Sequence, residues 1–210
     1  MNKRSLKFFE EIAAITYDIS SVKLANKSDF TRLDADFILK YANKESKILD
    51  LGSGTGLIIN KIYKEVKKIV AVEYFPEFSK FIEKSDNIKV VNVDIFKYST
   101  EEKFDLLTLF AVMHYLNERE AIEIYSKYIS FVTPGGKILV KNQFGINEDV
   151  EVSGYSEEQK NNYYAQYRHI DKEIRILSDL GCRNIEVVDI YPPECNRWSN
   201  THFYAIAAEV

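Results

Sequence analysis

One short stretch constrains the fold of this chain more than any other: residues 48–56, which read Ile-Leu-Asp-Leu-Gly-Ser-Gly-Thr-Gly. An apolar run leads into an acidic residue, three glycines follow at every second position, and apolar residues then recur at helical spacing. Glycine is favoured where the backbone turns with positive φ or where a ligand lies against the main chain. The stretch is therefore typical of a strand, a tight turn and a helix start in a nucleotide-binding unit.

Apolar runs and helical patterns alternate along most of the chain. We predict strands at residues 47–51, 69–73, 88–93, 104–110, 137–141, 185–190 and 202–208, and helices at 5–17, 31–41, 57–67, 76–84 and 118–129. Strands that do not alternate strictly between apolar and polar residues are expected in a parallel sheet that is covered on both faces. The pattern indicates a doubly wound α/β sheet with an antiparallel pair of strands at one edge.

The segment from residue 142 to residue 182 breaks this alternation. Ser156 and Gln159 form a capping-box pattern, and apolar residues then recur at spacings of three and four until Gly181. We therefore predict a helical insertion, residues 143–182, after the fifth strand. No repeat or linker is evident, so we expect one domain over residues 1–210, with an N-terminal helical flap at residues 1–45.

The composition is typical of a soluble globular protein. Apolar residues make up 46% and charged residues 29% of the chain, and the net charge of −4 argues against a nucleic-acid partner. No signal peptide is evident, and no apolar run approaches the ~20 residues of a membrane span. Cys182 and Cys195 lie outside any metal-ligand spacing. We expect a cytoplasmic protein with reduced thiols and no membrane partner.

The glycine motif differs from the dinucleotide fingerprint, which would require glycine where Leu57 stands. It resembles the first motif of the class I S-adenosylmethionine (SAM) dependent methyltransferases. The resemblance extends to Glu73 and Asp94 at the ends of the next two strands, and to the Pro-Gly-Gly turn at 134–136. It implies a mostly parallel, seven-stranded Rossmann-like sheet with an antiparallel last strand. It also implies SAM as cofactor and S-adenosylhomocysteine (SAH) as product.

Each part of SAM requires a different group at the carboxyl end of a strand. A carboxylate at Glu73 can accept hydrogen bonds from both ribose hydroxyls, and Asp94 can accept one from the adenine amino group. NAD-binding proteins also place an acid near the position of Glu73, so this residue alone does not separate the two cofactors. The resemblance implies the following cofactor-binding residues: Tyr17, Asp50, Leu51, Gly52, Ser53, Gly54, Gly56, Glu73, Tyr74, Asp94, Ile95 and Phe110.

The sequence constrains the methyl acceptor less than it constrains the cofactor. The Pro-Pro motif of enzymes that methylate amino groups of nucleic acids is missing after the fourth strand, and no carboxylates are there to hold a divalent metal. A hydroxyl acceptor requires a base, whereas an amine acceptor needs only to be neutral and correctly placed. The candidate bases are His114, then His202 and His169, although a structural role is the more common outcome for a single histidine.

Planar cations, aromatic rings and amides in the later part of the chain suit a polar or anionic small molecule. The expected substrate-binding residues are Tyr115, Tyr164, Arg168, Arg197 and Trp198. We therefore predict a metal-independent methyltransferase that acts on oxygen or nitrogen of a sugar, a sugar nucleotide or a phosphorylated metabolite. Two alternatives remain open: a catalytically silent SAM- or nucleotide-binding subunit of a complex, and an aminopropyltransferase.

Overall fold

A computed structural model describes residues 3–15, 18, 30–156, 161–196 and 198–210. Its strands are β1 (Lys47–Leu51), β2 (Lys68–Glu73), β3 (Ile88–Asn92), β4 (Phe104–Phe110), β5 (Val132–Gly145), β6 (Val150–Ser156), β7 (Asn161–Tyr167), β8 (Arg183–Asp189) and β9 (Thr201–Glu209). Within these ranges, seven strands form one sheet in the order β3-β2-β1-β4-β5-β9-β8. Strands β1 to β5 are parallel, and β9 is antiparallel to both of its neighbours. The predicted doubly wound sheet with an antiparallel last strand is confirmed.

Helices cover both faces of this sheet. They are α1 (Lys3–Ile15), α2 (Thr31–Leu39), α3 (Ile59–Ile62), α4 (Pro76–Ser79), α5 (Glu118–Ile129) and α6 (Ile170–Asp179). Buried side chains of α2 and α3 form the core on one face, and those of α5 and α6 form it on the other. Burial on both faces explains why the central strands are almost continuously apolar. In the ranges that the structure describes, no helix is long and apolar enough to cross a membrane.

A third cluster, which we call the aromatic cap, lies next to the segments that follow β2 and β4. Its members are Phe8, Phe9, Phe75, Phe78, Tyr115, Tyr163 and Tyr167. Phe9 of α1 packs edge-to-face against Tyr115, with ring centroids 4.9 Å apart, and Phe8 packs in the same way against Tyr163. The cap therefore joins α1 and β7 to the ends of the central strands, where ligands bind in open α/β sheets.

The helix predicted to begin at Ser156 is wrong in its first half. Residues 150–156 and 161–167 pair as the antiparallel strands β6 and β7, with Gly154 opposite Tyr163, and the helix begins only at Ile170. Tyrosines at 163 and 167 fit a helical spacing, but the buried residue between them is Ala165, so the observed period is two. Tyrosine also favours strands, which decides the ambiguous pattern in favour of the hairpin.

Strand β5 is longer than the sequence indicates. It extends to Gly145 because it pairs with β9 over its whole second half, from Lys137 to Gly145. The prediction ended at residue 141 because Asn142 and Gln143 are polar, yet both side chains are buried. The amide of Gln143 donates to the Thr201 hydroxyl, and that of Asn142 contacts a histidine described below.

Candidate functional site

The glycine motif forms a tight loop between β1 and α3. The backbone nitrogens of Gly52 and Ser53 both donate to the carbonyl of Val72 on β2, at 2.8 and 3.2 Å. Gly52 has φ of +71°, and a Cβ atom built on it would lie 2.5 Å from Cγ2 of Val112. A larger residue would therefore be strained and would collide with the segment after β4. The loop is packed too closely for any residue but glycine at this position.

Glu73, the last residue of β2, ties this loop in place. One carboxylate oxygen accepts a hydrogen bond from the nitrogen of Gly54 at 2.8 Å, and the other accepts from Phe75 at 2.9 Å. Burial raises the pKa of this carboxyl, and the neighbouring Asp50 adds to the effect. Each carboxylate oxygen can accept two hydrogen bonds, so the group can take further donors from a ligand.

Asp50 lies near the end of β1, the strand next to β2. One of its carboxylate oxygens accepts a hydrogen bond from the hydroxyl of Thr108 on β4. Burial nevertheless raises the pKa of Asp50 above its usual range. Two carboxyl groups with raised pKa values thus lie at or near the ends of adjacent strands, beside the glycine loop. Such a pair is suited to a ligand that brings hydrogen-bond donors or positive charge.

Three other predicted residues follow β2 and β3. Tyr74, directly after Glu73, is 45% exposed and stands edge-on to Phe75, with ring centroids 4.8 Å apart. Asp94 follows β3, and its carboxylate accepts a hydrogen bond from the nitrogen of Phe96 at 2.9 Å. Ile95 is half-buried against the core. The carboxyl ends of adjacent parallel strands thus carry an acid, an open aromatic ring and an apolar side chain.

The segment after β4 begins with an unusual backbone conformation. Ala111 has φ of +59°, which is rare for a residue with a side chain, and its nitrogen donates to the carbonyl of Lys141 at 2.7 Å. Phe110 before it is buried against the core, and Val112 after it contacts the glycine loop. Backbone strain of this kind is concentrated at functional sites. The glycine loop and the end of β4 thus form one packed unit.

His114 lies in a single turn of 3₁₀ helix, Met113–Tyr115, which we call the histidine turn. Its imidazole is 7% exposed, and Nδ1 lies 3.1 Å from Oδ1 of Asn142 on β5. The ring centroids of Tyr115 and Tyr167 lie 4.0 and 5.6 Å from that of the imidazole. The histidine is therefore held between the end of β5 and the aromatic cap.

Arg168, which we predicted to contact the substrate, does not face an open site. Its guanidinium is buried and paired with the buried carboxylate of Glu173, through Nε at 2.5 Å and Nη2 at 3.1 Å. The same guanidinium donates to the carbonyls of Leu116 at 2.6 Å and Met113 at 3.0 Å. The hydroxyl of Tyr125 also donates to Glu173. Arg168 thus bonds the main chain on both sides of His114 in the sequence.

The other two histidines have different surroundings from His114. Nε2 of His202 lies 2.6 Å from a carboxylate oxygen of Asp189, and Nδ1 lies 2.8 Å from the amide nitrogen of Asn196. Both ring nitrogens are thus engaged at the sheet edge formed by β8 and β9. His169 lies at the start of α6, with Nε2 2.8 Å from the carbonyl of Ile146. Neither contacts the histidine turn among the contacts that we observe.

The remaining predicted substrate residues differ in their position relative to the aromatic cap. Tyr164 alternates with Tyr163 along β7 and is half-buried on the opposite side of the hairpin from the aromatic cap. Trp198 packs on Tyr167, with ring centroids 5.4 Å apart. Tyr17 and Arg197 lie outside the described residues. Across the ranges that the structure describes, no group of three or more potential ligand side chains is placed to hold a metal ion.

Sequence reasoning missed several residues that build this site. Thr108, Asn142 and Glu173 each bond a predicted site residue, but they lie 58, 28 and 5 positions away from it in the chain. Only the pair of Arg168 and Glu173 is close enough in sequence to have been noticed, as opposite charges five residues apart. The other two contacts arise from the order of the strands, because β1, β4 and β5 are neighbours in the sheet.

The glycine loop and the strands around it match a known family. Residues 48–136 match a family model described as a methyltransferase domain. No curated protein matches the chain in sequence. The matched range includes the glycine loop, Glu73, Asp94 and the histidine turn, and it ends before Asn142 and Arg168.

Solved structures share the architecture of nearly the whole chain. DhpI, solved in complex with SAH, is 14% identical with a TM-score of 0.73, and the match covers 99% of this chain and 98% of DhpI. The N-methyltransferase NodS from Bradyrhizobium japonicum WM9, also with SAH, is 15% identical with a TM-score of 0.70 over 99% and 98% of the two chains.

Haemonchus contortus phosphoethanolamine N-methyltransferase 1, with phosphoethanolamine and SAH, is 17% identical with a TM-score of 0.74. The match covers 98% of this chain but 48% of that one, so this chain spans about half the length of that enzyme. At these identities the three similarities show the fold. They extend beyond the range of the family model to α1, the hairpin and the last two strands.

Proposed function

We propose that this chain, whose fold is that of the class I SAM-dependent methyltransferases, binds SAM and transfers its methyl group to oxygen or nitrogen of a polar small molecule. The observation that carries the proposal is the pair of carboxyl groups, Asp50 and Glu73, beside the glycine loop. Burial raises the pKa of both, so the site favours a ligand with donors and positive charge. SAM has both, in its ribose hydroxyls, its ammonium and its sulfonium.

Each predicted cofactor residue has a role that fits its position. Glu73 can accept the ribose hydroxyls while keeping its bonds to the loop, and Asp94 can accept the adenine amino group. Tyr74, which follows β2, and Ile95, which follows Asp94 in the chain, offer apolar surfaces for the adenine ring. Asp50 and the main chain of the glycine loop and of Phe110 would hold the ammonium. Bound SAM supplies an electrophilic methyl group, and the chain supplies its alignment with the acceptor.

The acceptor is proposed to lie at the histidine turn, below the aromatic cap. His114 can take a proton from a hydroxyl acceptor, and Tyr115 and Trp198 can contact the acceptor with their rings. The cap excludes water, which strengthens the electrostatic contacts within the site. Sugars, sugar nucleotides and phosphorylated metabolites are the acceptor classes we favour. The names of NodS and of the H. contortus enzyme support nitrogen as the methylated atom.

Two experiments test this function. Calorimetry should show binding of SAM and SAH but not of NAD. Formation of SAH should then be measured with a panel of small amines, alcohols and phosphorylated compounds that includes phosphoethanolamine. SAH formation that depends on one acceptor supports the proposal. Binding without turnover on any acceptor would favour a silent SAM-binding subunit, and turnover only with decarboxylated SAM would favour an aminopropyltransferase.

The reaction is proposed to need no metal. The segment after β4 carries no carboxylate cluster, so a divalent cation would lack the oxygen ligands that it prefers. Methyl transfer should therefore proceed at the same rate in EDTA. If EDTA abolished turnover and added Mg²⁺ restored it, the proposed mechanism would have to be abandoned.

A further inference from the structure

The contact between His114 and Asn142 assigns a proton to one nitrogen of the histidine. Nδ1 of His114 lies 3.1 Å from Oδ1 of Asn142. An amide oxygen can only accept a hydrogen bond, so with Oδ1 facing the ring the proton of the neutral imidazole is on Nδ1. The lone pair is then on Nε2, the nitrogen on the far side of the ring. This is the tautomer in which Nε2 can act as a base.

Asn142 is hard to explain by packing alone. Its side chain is 1% exposed at the end of β5, and its Nδ2 atom has no hydrogen-bond partner among the described residues. Burying a polar group without a partner costs about 1–3 kcal/mol of stability, and an apolar side chain of this size would not carry that cost. The hydrogen bond that we observe for this side chain is the one to His114.

The fold also fixes the backbone of the turn that carries the imidazole. Arg168 holds the carbonyls of Met113 and Leu116, on either side of the histidine in the chain. Among the contacts that we observe, the charged and titratable groups next to the histidine turn are the buried pair of Arg168 and Glu173 and the phenols of Tyr115 and Tyr167. The opposite charges of the buried pair offset each other, and the amide oxygen of Asn142 is the acceptor that we observe at Nδ1.

We propose that Asn142 is a positioning residue that holds His114 with its proton on Nδ1 and its basic Nε2 toward the acceptor. This inference rests on the proposed function. With a hydroxyl acceptor, the acceptor oxygen gains the methyl carbon, with the carbon–sulfur electron pair left on sulfur. The hydroxyl proton passes to Nε2 of His114 and then to solvent. The bond from Nδ1 to Asn142 is present before and after this transfer.

Nitrogen-15 NMR of the histidine side chains tests the proposal without any acceptor. The chain has three histidines, and single His→Gln variants assign their signals. Well above the histidine pKa, at about pH 9, His114 should carry its proton on Nδ1. In Asn142→Ala, the signal should move toward the form with the proton on Nε2. Asn142→Asp, which keeps the size and can only accept, should keep the proton on Nδ1 and raise the apparent pKa of His114.

Gln143→Ala is the matched control. It removes an equally buried amide from the next position of β5, whose side chain bonds Thr201 and points to the opposite face of the sheet. The tautomer of His114 should not change in this variant. A proton on Nε2 in the parent protein, or one that stays on Nδ1 in Asn142→Ala, would overturn the proposal. Calorimetry with SAH on the same sample tests the proposed function separately, since loss of SAH binding would leave the tautomer result intact.

Discussion

At the scale of single residues, Glu73 combines two roles. It holds the glycine loop through the nitrogens of Gly54 and Phe75, and it is the proposed partner of the ribose hydroxyls. Glu73→Ala should weaken SAM and SAH binding by roughly 1.5–3 kcal/mol, the scale of hydrogen bonds to a charged group. Calorimetry gives the affinities, and circular dichroism shows whether the variant folds.

Glu77→Ala serves as the matched control for that variant. Glu77 is exposed on α4, four residues further along the chain, and should leave SAH binding unchanged. If Glu73→Ala folded and bound SAH as tightly as the parent protein, Glu73 would not be the ribose partner.

His114 is the proposed base if the acceptor is a hydroxyl. General bases contribute typically about 10²–10⁴-fold to a rate, so His114→Ala should lower turnover by that order while SAM affinity stays nearly constant. The rate should rise with pH as the imidazole loses its proton, because the base must be neutral. Full turnover of His114→Ala on a hydroxyl acceptor would assign the role elsewhere. His202→Ala and His169→Ala, measured alongside, rank the three histidines.

At the scale of elements, a buried ion pair joins α6 to the histidine turn. Removing one member of such a pair leaves an unpaired buried charge, which costs about 3–5 kcal/mol. Arg168→Met should therefore lower the free energy of unfolding by that amount, measured by urea denaturation. The double variant Arg168→Met/Glu173→Leu removes both charges and should be more stable than either single variant. Equal stability of the single variant and the parent would show that the pair contributes nothing to the fold.

The elements also show what periodicity can and cannot predict. The bounds of α5 and β4 are those predicted, because α5 carries a capping box and an amphipathic pattern and β4 is a short, continuous apolar run. The hairpin was missed because the tyrosines at 163 and 167 fit both a helical and an extended spacing. The strand preference of tyrosine and the pairing of β7 with β6 favour the hairpin, and neither enters a count of apolar spacing.

At the scale of the whole molecule, the raised pKa values of two carboxyl groups make the stability of the fold and the binding of ligand depend on pH. Between the unfolded and folded pKa values of Asp50 and Glu73, the folded protein holds protons that the unfolded chain has released. These groups therefore favour the folded state below the unfolded pKa, and that contribution is lost as pH rises through the folded pKa. Ligand donors and positive charge favour the ionised form, so SAH binding should release protons in this window.

Calorimetry of SAH binding in two buffers of different ionisation enthalpy measures this release. Protons should be released just above the pKa values that Asp and Glu have in an unfolded chain, about 3.9 and 4.3, and the release should fall towards zero as the pH rises above the folded pKa values. Glu73→Gln removes one of the two titrating groups and should reduce the release. Proton uptake on binding at the lower pH would contradict the coupling.

The arrangement of the proposed cofactor residues could be predicted from sequence, and that of the proposed acceptor residues could not. Gly52, Glu73 and Asp94 follow consecutive parallel strands, so their spacing in the chain is enough to place them at one edge of the sheet. Arg168 was misassigned because a buried guanidinium and an exposed one look alike in sequence. The partners of His114 come from β5 and the hairpin, whose arrangement depends on contacts between distant segments.

The contacts of Arg168 and Asn142 have a consequence for the modularity of the chain. Both residues lie beyond residue 136, where the family match ends, yet they hold the turn that carries His114 inside it. A chimera that grafts residues 48–136 onto the acceptor region of another enzyme would inherit the glycine loop intact. It would lack the amide of Asn142 that bonds His114 and the guanidinium of Arg168 that bonds the histidine turn. A chimera that keeps His114 in its present surroundings must therefore include Asn142, Arg168 and Glu173 together with residues 48–136.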